Sequence, residues 1–234
     1  MLMNFYSNTL VRRLFWLIVF SAAMAYLESA VVVYLRALYY PQGFEFPLKA
    51  IPSGMLWIEI GREAATLAML IAIGFLFAST APGRFATICV AFGVWDIFYY
   101  LWLVIFIGWP ESLMTWDLLF LIPAPWIGPV IAPVLVSVCL IVAGTVILYQ
   151  ESQGRRFHPP WWSWLVEIIA GLLIISTFLW NLPLVIDETM PTSFPWSIFL
   201  LGLIGGMILF LMMLYQPGYF RELHVTGDRN ENPT

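Results

Sequence analysis

Six runs of about 20 mainly apolar residues follow one another with little chain between them: 14–39, 56–78, 85–107, 129–149, 164–185 and 196–215. Each matches the ~30 Å hydrocarbon core of a bilayer at ~1.5 Å of helical rise per residue. Within hydrocarbon every backbone N–H and C=O has to bond inside the protein, so runs of this length fold as helices. Composition agrees: the chain is 62% hydrophobic and 10% charged, with a mean hydropathy of +0.88. A soluble domain is roughly 45–50% apolar and 25% charged. The expected fold is an all-α polytopic membrane helical bundle, with one transmembrane domain over residues 1–215. The rest, 216–234, carries Gly, Asp, Asn, Glu and Pro and is expected to be a short disordered tail.

Basic residues set the expected orientation, because Lys and Arg favour cytoplasmic loops near span ends. Six spans with both termini cytoplasmic put Arg12, Arg13, Arg84, Arg155, Arg156, Arg221 and Arg229 inside, and Lys49, Glu45, Glu111, Asp187 and Glu188 outside. This is the pattern of a bacterial inner-membrane protein. Arg12-Arg13, the apolar run 14–20 and Ala23-Met24-Ala25 imitate a cleavable signal peptide. Because the apolar pattern runs on through Val31-Val32-Val33 to Tyr40, a retained first span is expected instead.

One connection is unusual. Residues 109–129 read W-P-E-S-L-M-T-W-D-L-L-F-L-I-P-A-P-W-I-G-P, too apolar for a plain loop and too rich in proline for a straight helix. The expectation is a Pro-rich interfacial or re-entrant segment, with a short helix over 113–122 and Pro129 in the first turn of the fourth span. Irregular backbone at membrane depth is tolerated where protein or a wet cavity satisfies it, so a re-entrant segment would imply a cavity on the outer side.

The spans also carry charge. Glu59, Arg62, Glu63 and Thr66 fall at i, i+3, i+4 and i+7 of the second span and share one helical face. At ~1.5 Å per residue, Glu63 lies about 20 Å above the inner end of its span, Glu28 about 21 Å and Asp96 about 16 Å, with Tyr99 and Tyr100 about 20–22 Å. Three helices thus bring polar groups to one level, and Arg36 and Asp117 can cap it from above. A charge at mid-membrane costs roughly 2.5–3.5 kcal/mol even on lenient insertion scales, so such groups face one another or a wet cavity and mark a candidate ligand- or proton-binding site. Two arginines cannot pair five acids one to one, which leaves at least one carboxyl to be protonated or balanced by a bound cation. The bland alternative is that the cluster only glues helices together as ion pairs.

Other features fit structural roles. Cys89 and Cys139 lie in apolar runs and read as small hydrophobic residues. Glu167, one turn inside the fifth span, can reach the interface. Gly202, Gly205 and Gly206 permit close helix packing. Most of the twelve tryptophans suit an interfacial aromatic belt, although Trp95, beside Asp96, lies deeper. His158 and His224 have no second His or Cys at ligand spacing, so no metal site is expected.

The basic residues form no patch for nucleic acid, and no Gly-rich phosphate loop, intramembrane Lys or spaced Ser or Cys nucleophile is present. The paired acids plus His of membrane CAAX-type proteases, the Ser and His of rhomboids and the His clusters of desaturases are absent as well. The bilayer aside, three partners fit: a small cation, a polar solute, or a lipid. The surplus of carboxylates favours binding or transport of a cation or small polar solute. A one-sided acidic chamber under aromatic rings also suits an enzyme using carboxylate acid/base chemistry on a lipid or isoprenoid. A non-catalytic membrane-complex subunit is the third reading.

Overall fold

The computed structural model describes residues 2–44, 52–186, 189, 193–216 and 220–222. Glu45, Lys49, Asp187, Glu188, His224 and Arg229 lie outside the described residues. The protein is mostly helical, and six of its helices are long and apolar enough to cross a membrane. Those helices are α1 (Leu2–Tyr39), α2 (Ser53–Phe77), α3 (Ala81–Ile107), α4 (Ile131–Ser152), α5 (Trp161–Phe178) and α7 (Trp196–Tyr215). A short α6 (Leu182–Ile186) follows α5, and four short strands form two antiparallel pairs. The chain therefore has the architecture of a multi-pass membrane protein.

Several expected boundaries move. The first helix starts at Leu2, twelve residues before the apolar run, because Asn4, Tyr6 and Ser7 do not break a helix once it is nucleated downstream. The fifth helix stops at Phe178 and the chain turns before α6, as Pro183 lies too close for one straight helix to continue. Part of the tail is ordered: β4 (Phe220–Glu222) pairs with β3 (Arg155–Phe157), aligning Arg155 with Glu222.

The largest departure is the segment before α4. Residues 113–122 form no helix; Trp116–Phe120 is strand β1, and it pairs with β2 (Trp126–Pro129) in a hairpin. Pro129 closes β2, and α4 begins at Ile131, with Pro133 in its first turn instead. Residues 113–122 contain no proline, but Pro123, Pro125 and Pro129 keep a helix from running on toward α4, whereas two short strands satisfy each other's N–H and C=O groups. The pairing of Asp117 with Gly128 requires glycine, since a Cβ there would stand 2.9 Å from the Phe178 ring.

Helix α3 is the hub, packing against α1, α2 and α4. Its start is capped by Thr80, whose hydroxyl accepts from Gly83 N–H at 3.0 Å and donates to Glu151 of α4 at 2.6 Å. Its end is the left-handed Gly108, at φ 65°. Glycines bring α3 and α4 together: a Cβ on Gly93 would lie 2.6 Å from the Ser137 carbonyl oxygen, and one on Gly144 2.5 Å from that of Ala86. Helices α5 and α7 pair with each other through Gly202 and Gly206, while Gly205 faces open space and takes no part. This second pair meets the first four helices chiefly at β2 and α4.

Gly144→Val should therefore force α3 from α4 and lower the melting temperature in mild detergent, at a cost of about 1–3 kcal/mol or more. Gly171→Ala is the matched control, because a Cβ there meets nothing within 4 Å. It should leave the melting temperature unchanged or raise it slightly.

Candidate functional site

Helix α2 is apolar outside and polar inside. Glu59, Glu63 and Thr66 are buried, continued along the same face by Leu70 and Gly74, while Trp57, Ile58, Ile71, Phe75 and Leu76 are exposed. That stripe is the i, i+4, i+7 face read from the sequence. Arg62 beside it bridges two helices, donating to Glu59 at 2.8 Å and to Glu28 of α1. Thr66 donates to the second Glu28 oxygen at 3.2 Å.

Glu63 has a different partner. Both its carboxylate oxygens accept from the Leu121 N–H, at 2.9 and 3.0 Å, at the tip of the β1–β2 hairpin. The hairpin's base is held by Arg36 of α1, which donates to Asp117 at 3.0 Å. The Arg36 guanidinium also lies over the Trp109 ring at 3.6 Å and the Phe44 ring at 4.4 Å. Burial pushes the Asp117 carboxyl up to about 6, although the Arg36 charge, the Leu118 N–H and the Tyr100 hydroxyl pull it down. Two of the five acids are thus tethers that pin a hairpin to α1 and α2.

Asp96 stands apart. It is buried on α3 and accepts from the Ser137 hydroxyl of α4 at 2.8 Å. Among the described residues it has no ion pair, so it is the carboxyl that remains once Arg36, Arg62 and the Leu121 N–H are assigned. The level expected to unite Glu28, Glu63 and Asp96 is thus three neighbouring pairings and not one network.

All ten predicted residues, Glu28, Arg36, Glu59, Arg62, Glu63, Thr66, Asp96, Tyr99, Tyr100 and Asp117, line one cavity of about 1000 Å³. Its charged end lies under the hairpin. From there it runs between the α3–α4 and α5–α7 pairs, past Phe92, Cys139, Leu140, Ala143, Gly171 and Ile174, to Ser163 and Glu167. Its volume is at the upper end of the roughly 300–1,000 Å³ typical of small-molecule sites.

Sequence reasoning missed two wall residues, Trp126 and Glu167, and the partner of Asp96, Ser137 on α4, which is fully buried behind the wall. Trp126 was assigned to the aromatic belt, yet it lines the cavity and stacks on Phe178 at 6.0 Å. Glu167, expected to be able to reach the interface, lines the far end of the cavity against Gly206. Comparisons with protein-family models, with curated proteins and with solved structures find no match.

Arg62→Ala strands Glu28 and Glu59 together and should cost about 3–5 kcal/mol, seen as a lower melting temperature. Asp96→Asn, which keeps a group able to bond Ser137, should change it far less. A carboxyl raised from 3.8 to about 6 on folding binds its proton more tightly in the folded protein. Asp117 therefore favours folding most below about pH 4, and this contribution falls as pH rises to about 6. Melting temperatures of wild type and Asp117→Asn from pH 4 to 7 should differ by a pH-dependent amount that declines across that window; a constant difference would rule the effect out.

Proposed function

We propose that this multi-pass membrane protein binds an amphipathic, lipid-like molecule, its tail in the apolar cavity and its head at the hairpin end. The observation that carries this reading is the cavity's polarity: seven of its charged groups gather under the hairpin, and the walls of α3, α4, α5 and α7 between that end and Ser163 and Glu167 at the far end are apolar. A small cation or polar solute would complement the charged end and leave those walls facing nothing of matching chemistry, whereas an amphipath complements both. With both termini on the cytoplasmic side of a bacterial inner membrane, the hairpin faces outward and the head group sits at outer-leaflet level.

A second reading, catalysis on the same ligand, has one observation in its favour. Among the described residues Asp96 is bonded to a neutral hydroxyl alone, so its carboxyl is available to give a proton to a bound head group or take one from it.

Native mass spectrometry with elemental analysis, on protein purified in mild detergent, tests the first reading. Wild type should carry a lipid-sized adduct, and Gly171→Leu, which projects into the cavity from a position with nothing within 4 Å, should lack it at an unchanged melting temperature. A bound metal ion without any lipid adduct, or an adduct retained in Gly171→Leu, would overturn it.

A further inference from the structure

The aromatic wall at the hairpin end bears on what kind of head group the cavity takes. Trp95 of α3, Phe120 of β1 and Trp126 of β2 form a continuous run, with ring centroids 5.9 and 6.0 Å apart, and all three line the cavity. Trp95 is 5% exposed. The indole N–H groups of Trp95 and Trp126 are both buried and have no acceptor among the described residues. A buried tryptophan normally finds a partner for its N–H, and leaving the donor unpaired costs stability. Arg36 Nη1 and Asp117 Oδ2 also lack a partner, but those two side chains neutralise each other; the two neutral donors of one wall, with Asp96 next to Trp95 in sequence and in the same cavity lining, mark where a ligand's oxygen belongs.

The charges around them narrow the choice. Among the described residues Glu28 and Glu59 share one cation, Arg62, and Asp96 adds a carboxyl bonded to Ser137 alone. An anionic head such as a phosphate would meet this excess of acid. A quaternary ammonium would suit the acids and leave both indoles unpaired. A hydroxyl does both jobs, accepting from an indole N–H and donating to a carboxylate.

We infer that the ligand is a lipid alcohol, an uncharged hydroxyl on a long apolar chain, held between the Trp95 and Trp126 N–H groups and Asp96. This rests on the amphipath reading above and adds the chemistry of the head.

The test uses delipidated full-length protein in amphipol, titrated separately with hexadecan-1-ol, hexadecyltrimethylammonium and hexadecyl phosphate, with bound fractions read by native mass spectrometry. The alcohol should bind tightest. Trp95→Phe and Trp126→Phe, which keep a ring and remove the N–H, should each weaken alcohol binding about three- to tenfold, the loss of one neutral hydrogen bond. Melting temperatures identify any variant that fails to fold, and two separate tryptophans keep the test open if one does. Tightest binding by the ammonium probe, lost in Asp96→Asn, would overturn the alcohol and leave the amphipath reading standing. Alcohol binding indifferent to both tryptophan variants would also overturn it. Binding of no probe, by wild type or by Gly171→Leu, would remove both readings together. Geranylgeraniol run beside hexadecan-1-ol separates an isoprenoid chain from a straight one.

Discussion

A polar group among apolar helices has only the protein to bond with, and each contact in the charged half of this molecule follows from that constraint. Arg62 cannot stay single, so it draws α1 to α2 through Glu28 and Glu59. The hairpin's tip has an N–H that its own ladder does not use, and Glu63 supplies the acceptor. Arg36 and Asp117 neutralise each other at the hairpin's base, with Trp109 and Phe44 covering the guanidinium. The same rule makes the unpartnered indoles of Trp95 and Trp126 informative: the unbonded Arg36 Nη1 and Asp117 Oδ2 belong to side chains that already neutralise each other, whereas each indole has its one donor and no partner among the described residues.

Whether such pairings stabilise the fold or only specify it depends on the alternative considered. A buried ion pair often gains little over a well-packed apolar pair of the same volume, while removing one partner is expensive. The contacts of Glu63 and Asp117 are therefore best understood as devices of register. They join elements more than 50 residues apart in sequence, fixing where the hairpin sits on α1 and α2. Apolar packing alone would not distinguish one seating of a hairpin on those helices from another a residue away.

The bundle was legible in the sequence because a span is a local property: a run of apolar residues declares itself without reference to its neighbours. So was the polar face of α2, a matter of helical periodicity, and Glu59, Glu63 and Thr66 are indeed its buried side. The hairpin was not legible. An apolar segment of five residues such as Trp116–Phe120 fits a strand or a helical turn equally well, and the choice is made by prolines at 123, 125 and 129 and by a carboxylate 58 residues away in sequence. Nor could spacing reveal how five acids divide, since the Asp96–Ser137 bond and the Arg36–Asp117 pair depend on which helices are neighbours.

The cavity itself has a cause in how the glycines are used. Gly93 and Gly144 draw α3 and α4 into backbone contact, and Gly202 draws α7 onto the Ala170 carbonyl of α5. Close approach is spent within each pair, so little is left to bind one pair to the other. On α5, Ala170 faces α7, whereas its neighbour Gly171 meets nothing within 4 Å and lines the open space. A larger residue at 171 would begin to close the gap. With glycine there, and with the hairpin bridging α2 and α3 to α5 through Glu63, Trp95, Trp126 and Phe178, the two pairs are held together at one end and apart along their length. An apolar space roofed by a polar, pinned hairpin follows from that arrangement of close and absent contacts, and its shape suits a molecule with a head and a tail.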